Sequence, residues 1–413
     1  MNRYHWLWLI GFLFMGSSFL LAPDWGFFGH RRINRLAVFT LPPEMIPYYK
    51  KHIEYITEHA VDPDKRRYAT RHEAVRHYID IDHWGEFPFP NVPREWSEAI
   101  MAFAEMQMIS ATGDTLTLAH PNMMDYRGQM MRYQGDDPVI REWWDSSPVA
   151  VNDYLTWFRK HVMPQYYEDE WGVSSAALSE LMGRETDCRE VGFIDHFSEY
   201  GVLPYNLLRV QNNLTEAFRS GNEAAILRLS AEIGHYIGDA HVPLHTTENY
   251  NGELTNQRGI HAFWESRIPE LFADEEFDAL VGRAEYIAQP ADWYWDIVLT
   301  SHQLVDSVLR VEKQLSLEFP VDRQYCFEER LGRTVRVECT EYARAYQQRM
   351  RGMVEERWRA SIHAIGCAWY TAWVDAGQPD LRLLGTGLTP SESDYFRELE
   401  EAFRTGEAQG RKH

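Results

Sequence analysis

Apolar residues recur every three or four positions along much of the chain, and strand-like alternation is scarce. The clearest stripe lies in Asn222–Ala240, where Ala225, Ile226, Leu229, Ile233 and Ile237 share one helical face. Gly221-Asn222 just before it reads as a loop that ends in a helix start signal. The same period predicts helices over Glu44–Glu58, Trp96–Met108, Tyr205–Arg219, Trp293–Leu317 and Glu341–Ala376. One short hairpin is expected, pairing Val335-Arg336-Val337 with Tyr325–Phe327. Segments rich in Pro, Gly and Asn at Phe87–Pro93, Gly113–Gln134 and Asn249–Gly259 read as loops. No period repeats and no clean linker divides the chain. The pattern predicts an all-α fold, a single multi-helix domain over residues 25–385 with a helical insertion at about 104–190. The polar tail, residues 386–413, is expected to end frayed.

The termini and the charge narrow the setting. One cation, Arg3, precedes an apolar run from Trp6 to Ala22. That pattern makes residues 1–24 a signal peptide or an uncleaved N-terminal anchor. The expected location is therefore exported, periplasmic or secreted, or else membrane-anchored. Cysteines stand at 188, 326, 339 and 367, with no Cys-x-x-Cys. Cys326 and Cys339 are near enough to close a small loop, and four free thiols is the equal alternative. The 413 residues carry 62 acidic and 41 basic side chains, a net charge of −21, which disfavours a basic nucleic-acid face and adhesion to anionic lipid. Trp 15, Tyr 22 and Phe 20 are too many aromatics for a disordered chain.

The 17 histidines carry the chemistry. In Gly234–His245, His235 and Asp239 stand four apart, one helical turn on one face, and His245 follows Pro243. His261 and Glu265 repeat the spacing further on. Imidazole and carboxylate in this arrangement suit zinc. Upstream lie His77 in His-Tyr-Ile-Asp, Asp62 15 residues before it, and His30, which follows Trp25. Asp64 competes with Asp62, whose Ala-Val-Asp context and spacing to His77 favour it. His59, His72, His83, His196, His302 and His363 read as solvated or hydrogen-bonded, with His72 and His83 placed to support neighbouring ligands. Arg66 and Arg67 are expected to neutralise Asp62 or Asp64.

Together these residues resemble the zinc-dependent phospholipase C and single-strand-specific nuclease superfamily. Its pattern is an N-terminal Trp, a nearby His, an Asp, a His before [FY]-x-D, then H-x3-D-x5-H and H-x3-[DE]. The matching positions run discontinuously from Trp25 to Glu265. The resemblance implies three zinc ions. Asp62, His77, His235 and Asp239 would hold the first. Asp239 would bridge to a second, bound by His30 and by the amino nitrogen and carbonyl oxygen of Trp25. His245, His261 and Glu265 would hold the third, completed by water. It also implies hydrolysis of a phosphodiester by zinc-activated hydroxide, with Asp62 as the catalytic base. Glu265 matches the phospholipases, whereas Trp264 and His241 look nuclease-like, and residues 104–190 have no counterpart.

The leading expectation is a phospholipase C-like enzyme acting on a phospholipid or another phosphodiester, and no protein partner is inferred. The alternative within the superfamily is a single-strand-specific nuclease/3'-nucleotidase, whose partner would be single-stranded nucleic acid. From another class, a non-catalytic membrane-anchored binding protein would lack zinc. A di-iron bundle needs two Glu-x-x-His motifs, and only Glu232–His235 is present.

Overall fold

The computed structural model describes residues 27–330, 332–384, 390–406 and 409. The expected signal peptide or anchor at 1–24, and Trp25, lie outside these residues. No described helix is long and apolar enough to cross a membrane.

Helices Phe27–Ala37, Leu203–Ser220, Glu223–His241, Pro290–His302 and Met353–Asp375 pack against one another as the core. Glu223–His241 runs through its middle and is buried without interruption from Leu229 to His241. Asn222 caps it, its side chain accepting from the Ala225 amide. Two glycines bring Phe27–Ala37 unusually close to this helix. A Cβ on Gly234 would lie 2.0 Å from Asn34 Oδ1, and one on Gly238 would lie 2.8 Å from Ile33 Cδ1 and 2.9 Å from His30 Nδ1. Only glycine permits this approach.

Three of the predicted helices are each broken in two. Glu44–Glu58 is two short helices, Ile46–Lys51 and Ile53–Glu58. Trp293–Leu317 breaks between Pro290–His302 and Val305–Glu318. Glu341–Ala376 breaks between Thr340–Arg349 and Met353–Asp375, where Arg351 and Gly352 take positive φ.

The all-α expectation is wrong. The chain is 59% helical, but it also holds a four-stranded antiparallel sheet and two small sheets, so the fold is mixed α/β. The strands are β1 (Ala104–Ile109), β2 (Thr115–Ala119), β3 (Met124–Asp125), β4 (Arg132–Tyr133), β5 (Trp171–Ser174), β6 (Glu190–Asp195), β7 (Tyr325–Arg330) and β8 (Arg333–Glu338). The large sheet has the order β2-β1-β6-β5, so the insertion is a sheet flanked by helices, not a helical segment. Its strands escape a periodicity reading because each buries only two or so residues, such as Ala104 and Met106 in β1, or Val191 and Phe193 in β6. Met, Gln and Glu in β1 are good helix formers, and cross-strand pairing overrides that preference. The predicted helix Trp96–Met108 therefore stops at Phe103 and continues as β1.

β7 and β8 form the expected hairpin, closed by a Cys326–Cys339 disulfide, while Cys188 and Cys367 are free. The polar tail contains a helix, Pro390–Thr405, that packs on Asp62–Arg66. Phe403 meets the rings of Phe27 and Tyr68, and Leu399 is buried.

Candidate metal centre

Glu223–His241 delivers His235 and Asp239 from its last turns, and Pro243 turns the chain so that His245 faces the same space. Asp239 and Glu265 organise the centre by dividing their oxygens. Asp239 Oδ2 lies 3.0 Å from His77 Nδ1 and 3.4 Å from His235 Nε2. Its Oδ1 lies 3.4 Å from His30 Nε2. Glu265 Oε1 lies 3.4 Å from His30 Nε2, and its Oε2 lies 2.7 Å from His261 Nε2 and 3.2 Å from His245 Nε2. Three groups of ligand atoms result. One gathers about His77 and His235, one about His30, and one about His245 and His261.

The helix that carries His261 and Glu265 contains a π turn, Phe263–Arg267, in which the Ile268 amide donates to the Phe263 carbonyl. Pro269 follows in the next turn, where it has no amide to offer the Glu265 carbonyl and its ring crowds that position. The widened turn accommodates it, and such turns are frequent at functional sites. Arg267 ties this turn to the disulfide hairpin, through 2.6 Å to Glu328 Oε1 and 3.0 Å to the Glu338 carbonyl.

Asp62 does not face this centre. It starts the short helix Asp62–Arg66 and turns to His59 Nδ1 at 2.6 Å and Lys65 Nζ at 3.7 Å. Asp64 Oδ1 instead lies 3.8 Å from both His77 Nδ1 and His235 Nε2. The two positions are about 200° apart around a helix, so only one can face the imidazoles. Arg67 sits 3.8 Å from Asp64, but Arg66 is engaged elsewhere, with Glu73 and Glu232. His72 contacts the rings of Tyr166 and Tyr167, and His83 stacks on Tyr200 and bonds Glu248, so neither supports a ligand directly.

The histidines are anchored from behind. His235 Nδ1 donates to the Ala60 carbonyl at 2.8 Å, and His245 Nδ1 donates to the His77 carbonyl at 2.5 Å. His77 Nε2 faces Glu73 at 3.6 Å. These contacts aim one nitrogen of each ring inward, as carbonyl and carboxylate partners do behind metal-bound histidines. Glu73 is fully buried against Tyr236, and Arg66, His77 and Arg76 hold its carboxyl well below the usual range although burial alone would raise it. Glu73 and His77 form another i, i+4 acid/His pair, the sequence signal by which Glu73 could have been found.

The electrostatics are those of cations packed among anions. Burial would lower His245, but Asp239 and Glu265 outweigh it and push its pKa up to about 9. Burial opposes His30 and His77 as well, yet carboxylates raise both. His235, buried beside His30, is pushed down to about 4. Burial would raise Asp239 and Glu265, and the surrounding imidazoles hold both well below the ordinary carboxylate range. His241 stands apart. It is buried near Arg357, is pushed down to about 3, and donates to the Ile237 carbonyl at 2.8 Å.

The donor set fits divalent metal. Zinc bonds to nitrogen or oxygen of about 2.0–2.2 Å at tetrahedral angles imply ligand separations of about 3.3–3.6 Å. The separations here, from 2.7 to 3.8 Å, surround that range. His77 Nδ1 and His235 Nε2 approach to 3.0 Å, two ring nitrogens aimed at one point between carboxylates.

No protein family, curated protein or solved structure matches the chain.

Proposed function

We propose that the chain is a zinc-dependent phosphodiester hydrolase, most like a phospholipase C. One observation carries the reading: His30, Asp64, His77, His235, Asp239, His245, His261 and Glu265 converge as three linked groups of ligand atoms. Asp64, His77, His235 and Asp239 would hold one zinc, His30 with Asp239 and Glu265 a second, and His245, His261 and Glu265 a third. When bound, such ions acidify water and neutralise charge on the phosphoryl oxygens. The residues do the rest. Asp239 and Glu265 fix the spacing of the three groups, because each offers an oxygen to two of them. Asp64 is the most solvent-accessible of the three carboxylates, so it takes the proton of the attacking water. The backing carbonyls keep Nδ1 of His235 and His245 protonated and their Nε2 lone pairs directed inward.

A phospholipid or a small phosphodiester is the substrate class supported best. The −21 charge opposes a polyanion at long range. Trp264 and His241, the two nuclease-like residues, are both buried and offer no platform for base stacking.

The test is a parallel assay of phosphatidylcholine, single-stranded DNA, RNA and a chromogenic phosphodiester, each with and without chelator. Chelator-sensitive cleavage of phosphatidylcholine or the small ester is expected, with about three zinc ions bound at this centre. His235→Ala should lose activity and metal together. Cleavage of nucleic acid alone would move the protein to the nuclease branch. Hydrolysis that survives in His235→Ala would refute the assignment of the centre.

A further inference from the structure

We propose that Glu105, His120 and His196 form a separate binding site for a zinc-like divalent cation, built by the inserted sheet. None of the three belongs to the motif pattern that runs from Trp25 to Glu265, and the inference does not rest on the hydrolase reading. Glu105 Oε2 lies 3.1 Å from His196 Nε2 and 3.9 Å from His120 Nε2. The ligand atoms of the three residues all lie within 4.8 Å of one another.

The sheet sets this geometry. β1 pairs with β6 so that Glu105 lies opposite Ile194, and His196 leaves the end of β6 beside it. On the other side of β1 the register shifts between Met106 and Gln107, from Ala119 to Thr117. Leu118 is the extra residue of that bulge, and the shift brings His120 alongside Glu105. Bulges redirect side chains in this way next to functional sites. Gln107 Nε2 donates to Glu105 Oε1 at 2.6 Å, and the Thr117 hydroxyl donates to the same oxygen at 3.1 Å. With Oε1 engaged, Oε2 is left for the two imidazoles. This is the outer support expected behind a ligating carboxylate.

His120 and His196 also line a cavity of about 1210 Å³, which includes no ligand of the centre described above. Two imidazoles that face open volume, with Glu105 behind them, leave room for the free coordination position of a three-ligand zinc site. Two nitrogens and one carboxylate select zinc, nickel or copper over calcium or magnesium. One contact must yield. The Asn122 amide donates to His120 Nδ1 at 3.3 Å, and coordination through Nε2 would move the ring proton to Nδ1. This site therefore binds more weakly than the buried centre.

Equilibrium dialysis of the full chain against zinc, with bound metal counted per chain, tests the proposal. His120→Ala and His196→Ala should each bind one zinc fewer than the wild type, with hydrolysis of a small phosphodiester unchanged. Glu105→Gln keeps the hydrogen-bonding shape and should lose the same zinc if either histidine variant fails to fold. His235→Ala should retain this zinc while it loses those of the buried centre, so failure of one site is distinguishable from failure of the other. Equal zinc counts in the wild type, His196→Ala and Glu105→Gln would overturn the proposal.

Discussion

Gly238→Ala tests how the buried centre is positioned. The added methyl would lie 2.9 Å from His30 Nδ1 and 2.8 Å from Ile33 Cδ1, well inside van der Waals contact. Two opposing effects are expected. Alanine within a helix gains about 1 kcal/mol over glycine. Overpacking a closed interface costs about 1–3 kcal/mol. The variant should therefore be destabilised by about 0–2 kcal/mol, a modest change. The larger effect should fall on metal. His30 reaches both Asp239 and Glu265 at 3.4 Å, so a displaced ring leaves both carboxylates. If the steric cost is relieved through His30, about 1–3 kcal/mol becomes about 5- to 150-fold weaker affinity at that group. Zinc titration against a competing chelator reads the affinity, and denaturant unfolding reads the stability. Gly238→Ala/Ile33→Ala removes the aliphatic clash and keeps the one with His30, so its metal affinity should stay low. A Gly238→Ala protein that is stabilised by about 1 kcal/mol and binds all its metal at unchanged affinity would refute the reasoning.

Three further outcomes are expected. Glu73→Gln should lower metal affinity by about 10- to 100-fold through His77, and cost about 3–5 kcal/mol because Arg66 and Arg76 lose a buried anion; wild-type values in both measurements would remove Glu73 from its supporting role. Zinc added to chelator-treated protein at pH 7 should release protons, because His245, with a pKa pushed up to about 9, carries one there and must shed it to coordinate. The sign is fixed: His245 releases its proton below pH 9, and its share fades as pH rises through that value, which calorimetry in buffers of different ionisation enthalpy would follow. Cys326→Ser/Cys339→Ser should lose about 2–4 kcal/mol of stability with zinc content unchanged, since the hairpin's ties to the metal-bearing helix, Arg267 with Glu328 and Arg330 with Glu270, are ion pairs that do not need the disulfide; loss of zinc at full stability would contradict that reasoning.

Much of the centre was legible because it is local. His235 with Asp239, and His261 with Glu265, are single helical turns, and a spacing of four residues places both members on one face. Asp64 was not legible, and the sequence favoured Asp62 in its place. Its advantage over Asp62 arises from the short helix that begins at Asp62 after the turn His59–Val61, and no apolar stripe marks that start. Glu105, His120 and His196 are 15 and 76 residues apart along the chain, at 105, 120 and 196, and only strand pairing unites them. The same holds for the inserted sheet itself. Its strands are short, and β1 is written in residues that favour helix. The long helices were over-extended because periodicity continues through a break such as Arg351-Gly352 while the backbone does not.

The π turn at Phe263–Arg267 gives Pro269 an influence out of proportion to its chemistry. The turn holds one residue more than an α-helical turn, so the chain on either side of it is out of phase by about 100°. Proline at 269 penalises the uninterrupted register and leaves the widened one. Pro269→Ala would restore the missing amide and let the helix choose between two registers, only one of which presents His261 and Glu265 as described. A residue that ligates nothing thus acts as a frame-keeper, and single-residue deletions near Ser266 should damage the centre more than most substitutions there.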